Sequence, residues 1–154
     1  MGGNEQCFSE PGGVRMAIYT QPIDPQSDID LDSEQSRKQA AQLVTKLFEH
    51  WQLDQASQLN LLGLSENSRS LLNQYRQGSK GLPAARDVRD RVGWLLACHK
   101  ALRLLYPRNE ALRYSWIKRR NATFDGRAPL DIMKEQGLIG VARVARYLDY
   151  LRGQ

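Results

Sequence analysis

The sequence predicts an all-α fold, and three observations carry that prediction. Apolar residues recur at spacings of three and four over most of the chain after residue 32, which is the period of a helix with one buried face. No stretch alternates apolar and polar residues long enough to make a strand pair. Capping residues, glycines and prolines then punctuate the periodic stretches at the places where helices start and stop.

The elements follow in order. Residues 1 to 31 mix Gly2, Gly3, Pro11, Gly12, Gly13, Pro22 and Pro25 with scattered polar residues, and read as a flexible acidic arm in which Val14 to Thr20 is the one short docking or strand candidate. Asp32 is placed to cap a helix, with Gln35 at the reciprocal position three residues on. Ala40, Ala41, Val44, Leu47, Phe48 and Trp51 form its apolar stripe. Asp54 caps a second helix, in which Leu59 and Leu62 face inward and Gly63 permits the left-handed turn that ends it. A third helix starts near Ser65, carries Leu71, Leu72 and Tyr75, and stops at Gly78, after which Ser79 to Pro83 reads as a linker.

From Ala85 to Tyr106 apolar residues cover most of the helix circumference, so this helix belongs in a core or against a second subunit. Trp94, Leu95, Cys98 and Leu102 are the candidate dimer interface, and a homodimer is expected. Pro107 ends the helix, Asn109 caps the next, and Pro129 takes the favoured first position of another that Gly137 ends. The last helix turns Leu138, Val141, Val144, Leu148 and Leu151 inward. The expected organisation is an arm (1–31), a helix-turn-helix region (32–83), and a long dimerisation helix with a C-terminal helical domain (84–154).

Composition narrows the function. With 154 residues, the chain has room for one helical domain or two small ones, too little for a dinucleotide-binding enzyme with a substrate domain. Its two cysteines stand far apart and there are no close Cys/His pairs, so neither a disulfide scaffold nor a zinc site is expected. The longest apolar run, Trp94 to Cys98, is far short of the ~18 residues of a membrane span. Residues 1 to 34 hold seven acids and one base, whereas the remaining 120 hold 21 bases and 10 acids. A basic body attracts polyanions or an acidic protein surface, and an acidic arm masks it.

No nucleophile and base are placed together by the sequence, so no catalytic residue, metal or cofactor is expected. His50 reads as a surface or half-buried neighbour of Trp51, His99 as a packing histidine, and Cys98 as an inert core thiol. The helix pair 54–62 and 65–77 is a candidate helix-turn-helix that presents Asn67, Ser68, Arg69, Ser70, Asn73 and Arg76 to operator DNA. The same polar face also suits a solvated hairpin. The segment Asn121 to Leu130 is the most distinctive: Gly126 for a tight bend, Phe124 to anchor it, and a proline-initiated helix behind it.

Trp51, the Leu61-Leu-Gly-Leu-Ser65 turn, Tyr75-Arg-Gln-Gly78, the Arg91-Val-Gly-Trp-Leu-Leu stretch, Leu105-Tyr-Pro107, Trp116, Asn121 to Leu130, Val141 and Tyr147-Leu-Asp149 together resemble the Xre/MbcA/ParS-type antitoxins, over roughly residues 40 to 152. The resemblance implies a Xre-like helix-turn-helix region followed by a toxin-binding domain, in a bacterial cytoplasmic protein whose gene partner encodes a RES-domain toxin that consumes NAD, or a related ADP-ribosylating enzyme. It places the toxin contact on the loop and final helices, at Asn121, Phe124, Arg127, Arg143, Arg146, Tyr147, Tyr150 and Arg152. Gly63 and Gly78 stand 15 apart (78 minus 63), further than in the compact DNA-reading form, which counts against base reading through this helix. A helix-turn-helix repressor without a toxin partner is the alternative, and a small enzyme the more distant one.

Overall fold

A computed structural model of the chain describes residues 31–154, so the expected arm and its docking candidate lie outside the described residues, apart from Leu31. Six helices follow in order: α1 (Glu34–His50), α2 (Gln55–Leu62), α3 (Arg69–Gln77), α4 (Arg86–Leu105), α5 (Glu110–Ser115) and α6 (Pro129–Arg152), with short 3-10 turns before α3 and between α5 and α6. Among the described residues there is no strand, and a single bridge joins Asn121 to Arg127.

Local signals set most boundaries. The cap of α1 is Ser33, one residue later than expected: its hydroxyl accepts the Ser36 N–H at 3.0 Å, while Asp32 pairs with Arg89 at 3.4 Å. Asp54 caps α2 as expected, accepting the Ser57 N–H at 2.8 Å, and hydrogen bonding to Ser57, from its side chain first and its backbone next, holds the Asp54 carboxyl below the usual range. Gly63 and Gly78 end α2 and α3 in the left-handed region, at φ 73° and 74°. The third helix begins as a 3-10 turn, Glu66–Ser68, whose start Ser65 caps.

One apolar core runs from Leu31 to Leu148. The expected linker contributes to it, because Leu82 is buried and its N–H reaches the Arg37 carbonyl. α4 lies at the centre, with α6 against one side and α1 and α2 against others. That packing turns three of the four residues expected at a dimer interface into the chain's own core. Leu95, Cys98 and Leu102 have no exposed surface within one chain, and of the four residues only Trp94 is partly exposed. The apolar surplus of α4 is absorbed by α6, whose inward residues Val141, Val144 and Leu148 are fully buried. The Cys98 thiol, wholly enclosed, is pushed up by burial to about 12 and stays protonated.

α6 is two arms joined at Gly137, whose φ of 64° and ψ of −139° interrupt the helix where the sequence placed a stop. Gly140 makes the bend close-packed, since a methyl there runs into the carbonyl of Ile132. Arg91 braces the junction from α4: its guanidinium bonds Asp87 at 2.9 Å and the Asn60 carbonyl at 3.4 Å, and lies beside Gly137. A cation at the carbonyl end of α2 also meets the negative end of that helix.

Candidate functional site

The connection between α5 and α6 is organised by one residue, through its backbone and its side chain. Asn121 accepts the Thr123 N–H on its Oδ1 at 2.9 Å, its carbonyl takes the N–H groups of Phe124 and Gly126, each at 3.0 Å, and its own N–H donates to the Arg127 carbonyl at 3.1 Å. Closing so tight a loop requires two successive left-handed residues, Asp125 at φ 58° and Gly126 at φ 77°. Asn121 is thus half-buried scaffold, and what it delivers is Phe124, driven inward to 2% exposure.

Phe124 ends in an aromatic cluster centred on Tyr147 of α6. Its ring meets Tyr147 edge-on at 5.4 Å, Trp116 and Tyr150 stack near the same tyrosine at 6.3 and 6.4 Å, and Thr123 donates its hydroxyl proton to the Tyr147 oxygen at 3.1 Å. Two arginines cover the cluster's edge and neighbour, Arg143 over Phe124 at 5.3 Å and Arg146 over Trp94 at 5.5 Å. Arginines laid over rings keep their charge while their carbon stems sit on apolar surface.

The second arm of α6 leaves a stripe facing outward. Ile139, Arg143, Arg146 and Tyr150 recur at four, three and four, so they share one side of the helix. All are exposed, Ile139 at 75% and Tyr150 at 60%. An isoleucine and a tyrosine bracketing two arginines offer apolar anchors with cationic contacts between them, the residue types that carry most binding energy at protein interfaces.

Besides Phe124, which is buried, two more of the expected contact residues are paired within the chain. Arg127 makes a two-point bond to Glu135, at 3.0 and 2.7 Å, which keeps the Glu135 carboxyl below its usual range. Arg152 donates to Asp149 at 2.7 and 3.3 Å, and its side chain retains 5% exposure, so it serves the last turn and does not reach outward. Ile139 was not singled out from the sequence, because within Leu138-Ile-Gly-Val141 nothing but its spacing to Arg143, Arg146 and Tyr150 distinguishes an outward residue from inward ones.

The other candidate surface lies on α3 and its leading turn. Asn67, Arg69, Ser70 and Asn73 are exposed there, and Ser68 and Arg76 are half-buried. Arg76 is committed to the fold: its Nε stands 2.9 Å from the Glu49 carboxylate of α1 and its Nη1 donates to Asn73 Oδ1 at 2.7 Å. An acid set against this face opposes phosphate binding. Of the two histidines, exposed His50 stacks on Tyr114 at 4.3 Å, and half-buried His99 lies 6.0 Å from the same ring. No cluster of three or more metal-ligating side chains occurs among the described residues, and no described helix is long and apolar enough to cross a membrane.

Comparison with known proteins points to the same C-terminal surface. Residues 101–153 match the antitoxin Xre/MbcA/ParS C-terminal toxin-binding domain, a stretch that holds the Asn121 loop, the aromatic cluster and the outward stripe. The chain is also 34% identical over 108 residues to the Sinorhizobium fredii (strain NBRC 101917 / NGR234) protein y4oB, described only as uncharacterised, covering 70% of this chain and 80% of that one. The matched toxin-binding domain is thus a part of the molecule where aromatic and arginine side chains are left facing outward; the chain carries the Xre/MbcA/ParS antitoxin C-terminal domain at residues 101–153 and belongs to one family with the y4oB protein.

Proposed function

We propose that the protein neutralises a co-encoded toxin by seating the second arm of α6 against it, and that the toxin is a RES-type enzyme consuming NAD. The single observation that carries the docking surface is the Ile139–Arg143–Arg146–Tyr150 stripe within the matched toxin-binding domain. The stripe is cationic, so its counterpart on the toxin is a surface with acidic residues around an apolar pocket. An NAD site binds a pyrophosphate dianion and is lined with positive groups. The stripe therefore does not imitate the substrate, and inhibition works by covering the entrance to the site. The identity of the toxin as a RES-type enzyme rests on the family resemblance alone.

Co-expression with the adjacent reading frame, co-purification and an NAD-consumption assay test this reading. The expected result is a stable complex inactive toward NAD, with activity restored by Ile139→Asp together with Arg143→Glu. A neighbouring product that does not bind, or one that binds and has no NAD-consuming activity when released, overturns the reading. Binding of operator DNA through α3 is opposed by the engagement of Arg76 with Glu49 and Asn73.

A further inference from the structure

On the side of α4 away from Trp94 lies a surface that the antitoxin reading leaves unused. At about 100° per residue, Leu96, His99 and Arg103 point about 140–200° around the helix from Trp94, whose ring lies under Arg146 of the α6 stripe. They face Leu43, Lys46 and His50 of α1 across a groove of about 290 Å³ that Tyr114 also lines. A second depression of about 390 Å³ continues from Arg103 to Leu104, Pro107 and Arg113. Helices α1 and α4 run side by side in the same direction, since Asp32 meets Arg89 at one end and residues 43 to 50 meet residues 96 to 103 further along. The groove is therefore a trough between two helices, the shape that receives a third.

Two properties of its lining select an occupant. The trough is apolar and open: among the described residues the large apolar side chains left exposed are Ile139 and Tyr150 on the α6 stripe, and Leu43, at 59%, and Leu104, at 40%, here. It is also cationic with no internal answer. No carboxylate lines either hollow, and Lys46, Arg103 and Arg113 make no ion pair among the described residues. The Arg113 guanidinium is held by the carbonyls of Tyr106 at 3.2 Å and Pro107 at 2.9 Å, bonds that fix its position and leave its charge uncancelled.

We propose that this trough is a second protein-docking site and that its occupant is an acidic amphipathic helix of a partner protein, with apolar side chains against Leu43, Leu96 and Leu104 and carboxylates toward Lys46, Arg103 and Arg113. Charge complementarity singles out that occupant. A nucleic acid answers the cations but sets its charged backbone against exposed leucines. A second copy of the trough answers the leucines but brings cations against the same cations. Because the trough faces away from Trp94 and Arg146, it stays open when the α6 stripe is engaged, so the chain can hold two protein partners at once.

The test uses the full chain without any toxin, so its outcome is independent of the antitoxin reading. The probe is a synthetic helical peptide of about four turns, with leucines at spacings of three and four and glutamates on either side of them; a matched peptide carries glutamine in place of glutamate. The probe is titrated into methyl-labelled protein and followed by NMR. The expected result is saturable shifts of the Leu43, Leu96 and Leu104 methyl signals, with Ile139 on α6 unmoved. Binding should weaken about tenfold or more in Arg103→Glu, in Lys46→Glu and for the glutamine peptide. No saturable shift, shifts that extend equally to Ile139, or affinity that survives the charge reversals and the glutamine peptide overturns the proposal. A DNA duplex that moves the same methyl signals at equal or lower concentration also overturns it, and assigns the trough to nucleic acid. Shifts of these signals that follow the protein's own concentration without peptide overturn it in favour of a second copy.

Discussion

The surface of α3 and the second arm of α6 are both polar, arginine-bearing helix faces, yet the fold treats them differently. On α3, Arg76 is drawn into a network with Glu49 and Asn73, so its charge is already answered inside the chain. On α6, Arg143 and Arg146 lie over Phe124 and Trp94, ring contacts that leave the charge outward, and Ile139 and Tyr150 flank them with exposed apolar area. Residue type alone does not mark an interface. What marks it is apolar surface left uncovered beside charge that, among the described residues, is laid over rings and not drawn into a carboxylate network.

The contrast depends on the bend that presents the second arm of α6, so the largest effect should come from Gly140. Gly140→Ala forces a methyl into the Ile132 carbonyl and should lower stability by about 3 kcal/mol, as overpacking against backbone does. Thermal denaturation followed by circular dichroism reads this as a fall in Tm, and an unchanged Tm would show that the two arms are not close-packed there.

A buried leucine of α4 and an exposed one of α1 give the next test. Leu95→Ala, which empties a site with no exposed surface, should cost about 3 kcal/mol. Leu43→Ala, on an exposed residue, should stay within about 0.5 kcal/mol. Urea titration checks both, and equal losses would mean that Leu43 is covered in solution.

Stability should also fall in acid through His99. Its folded value, about 4, lies below the ordinary 6.5, so the unfolded chain binds the proton more readily. The favourable neutral form is fully retained above about pH 6.5, and stability drops as pH falls from there toward 4. Since the ring is part-exposed, the loss discounted for solvent screening is about 1–2 kcal/mol. His99→Gln should flatten this part of the pH profile, measured as urea midpoints at pH 7 and pH 5. The smallest effect belongs to α3, where Arg76→Ala removes a part-exposed ion pair and should change stability by about 1 kcal/mol or less.

Most of the helices were legible in the sequence because caps and glycines act locally: Asp54, Asn109, Gly63, Gly78, Pro129 and Gly137 all do what their types suggest. Ser33 and not Asp32 is the first cap, and the aspartate instead meets Arg89, 57 residues away, a pairing that local spacing does not reveal. Long-range packing is also what the apolar circumference of α4 concealed. Periodicity shows that Leu95, Cys98 and Leu102 are buried, but not whether α6 or another chain covers them. The sequence offered Phe124, Tyr147 and Tyr150 as contact residues; the fold gathers them in one cluster, in which Phe124 is buried and Tyr150 exposed. The commitments of Arg127 to Glu135 and Arg152 to Asp149 were not, since each depends on a helix register that spacing fixes only after the loop and its bend are known.

The central claim is that toxin is bound by the outward stripe of α6 and not by α3. The direct measurement is the affinity of the co-encoded partner for four versions of the full chain, by calorimetry: wild type, Tyr150→Ala, Arg143→Glu and Arg69→Ala, each verified as folded. The account predicts a loss of about 30-fold or more for Tyr150→Ala and for Arg143→Glu, in the range of an interface anchor, and no change for Arg69→Ala. Unaltered affinity in both α6 variants, or a loss confined to Arg69→Ala, would contradict it.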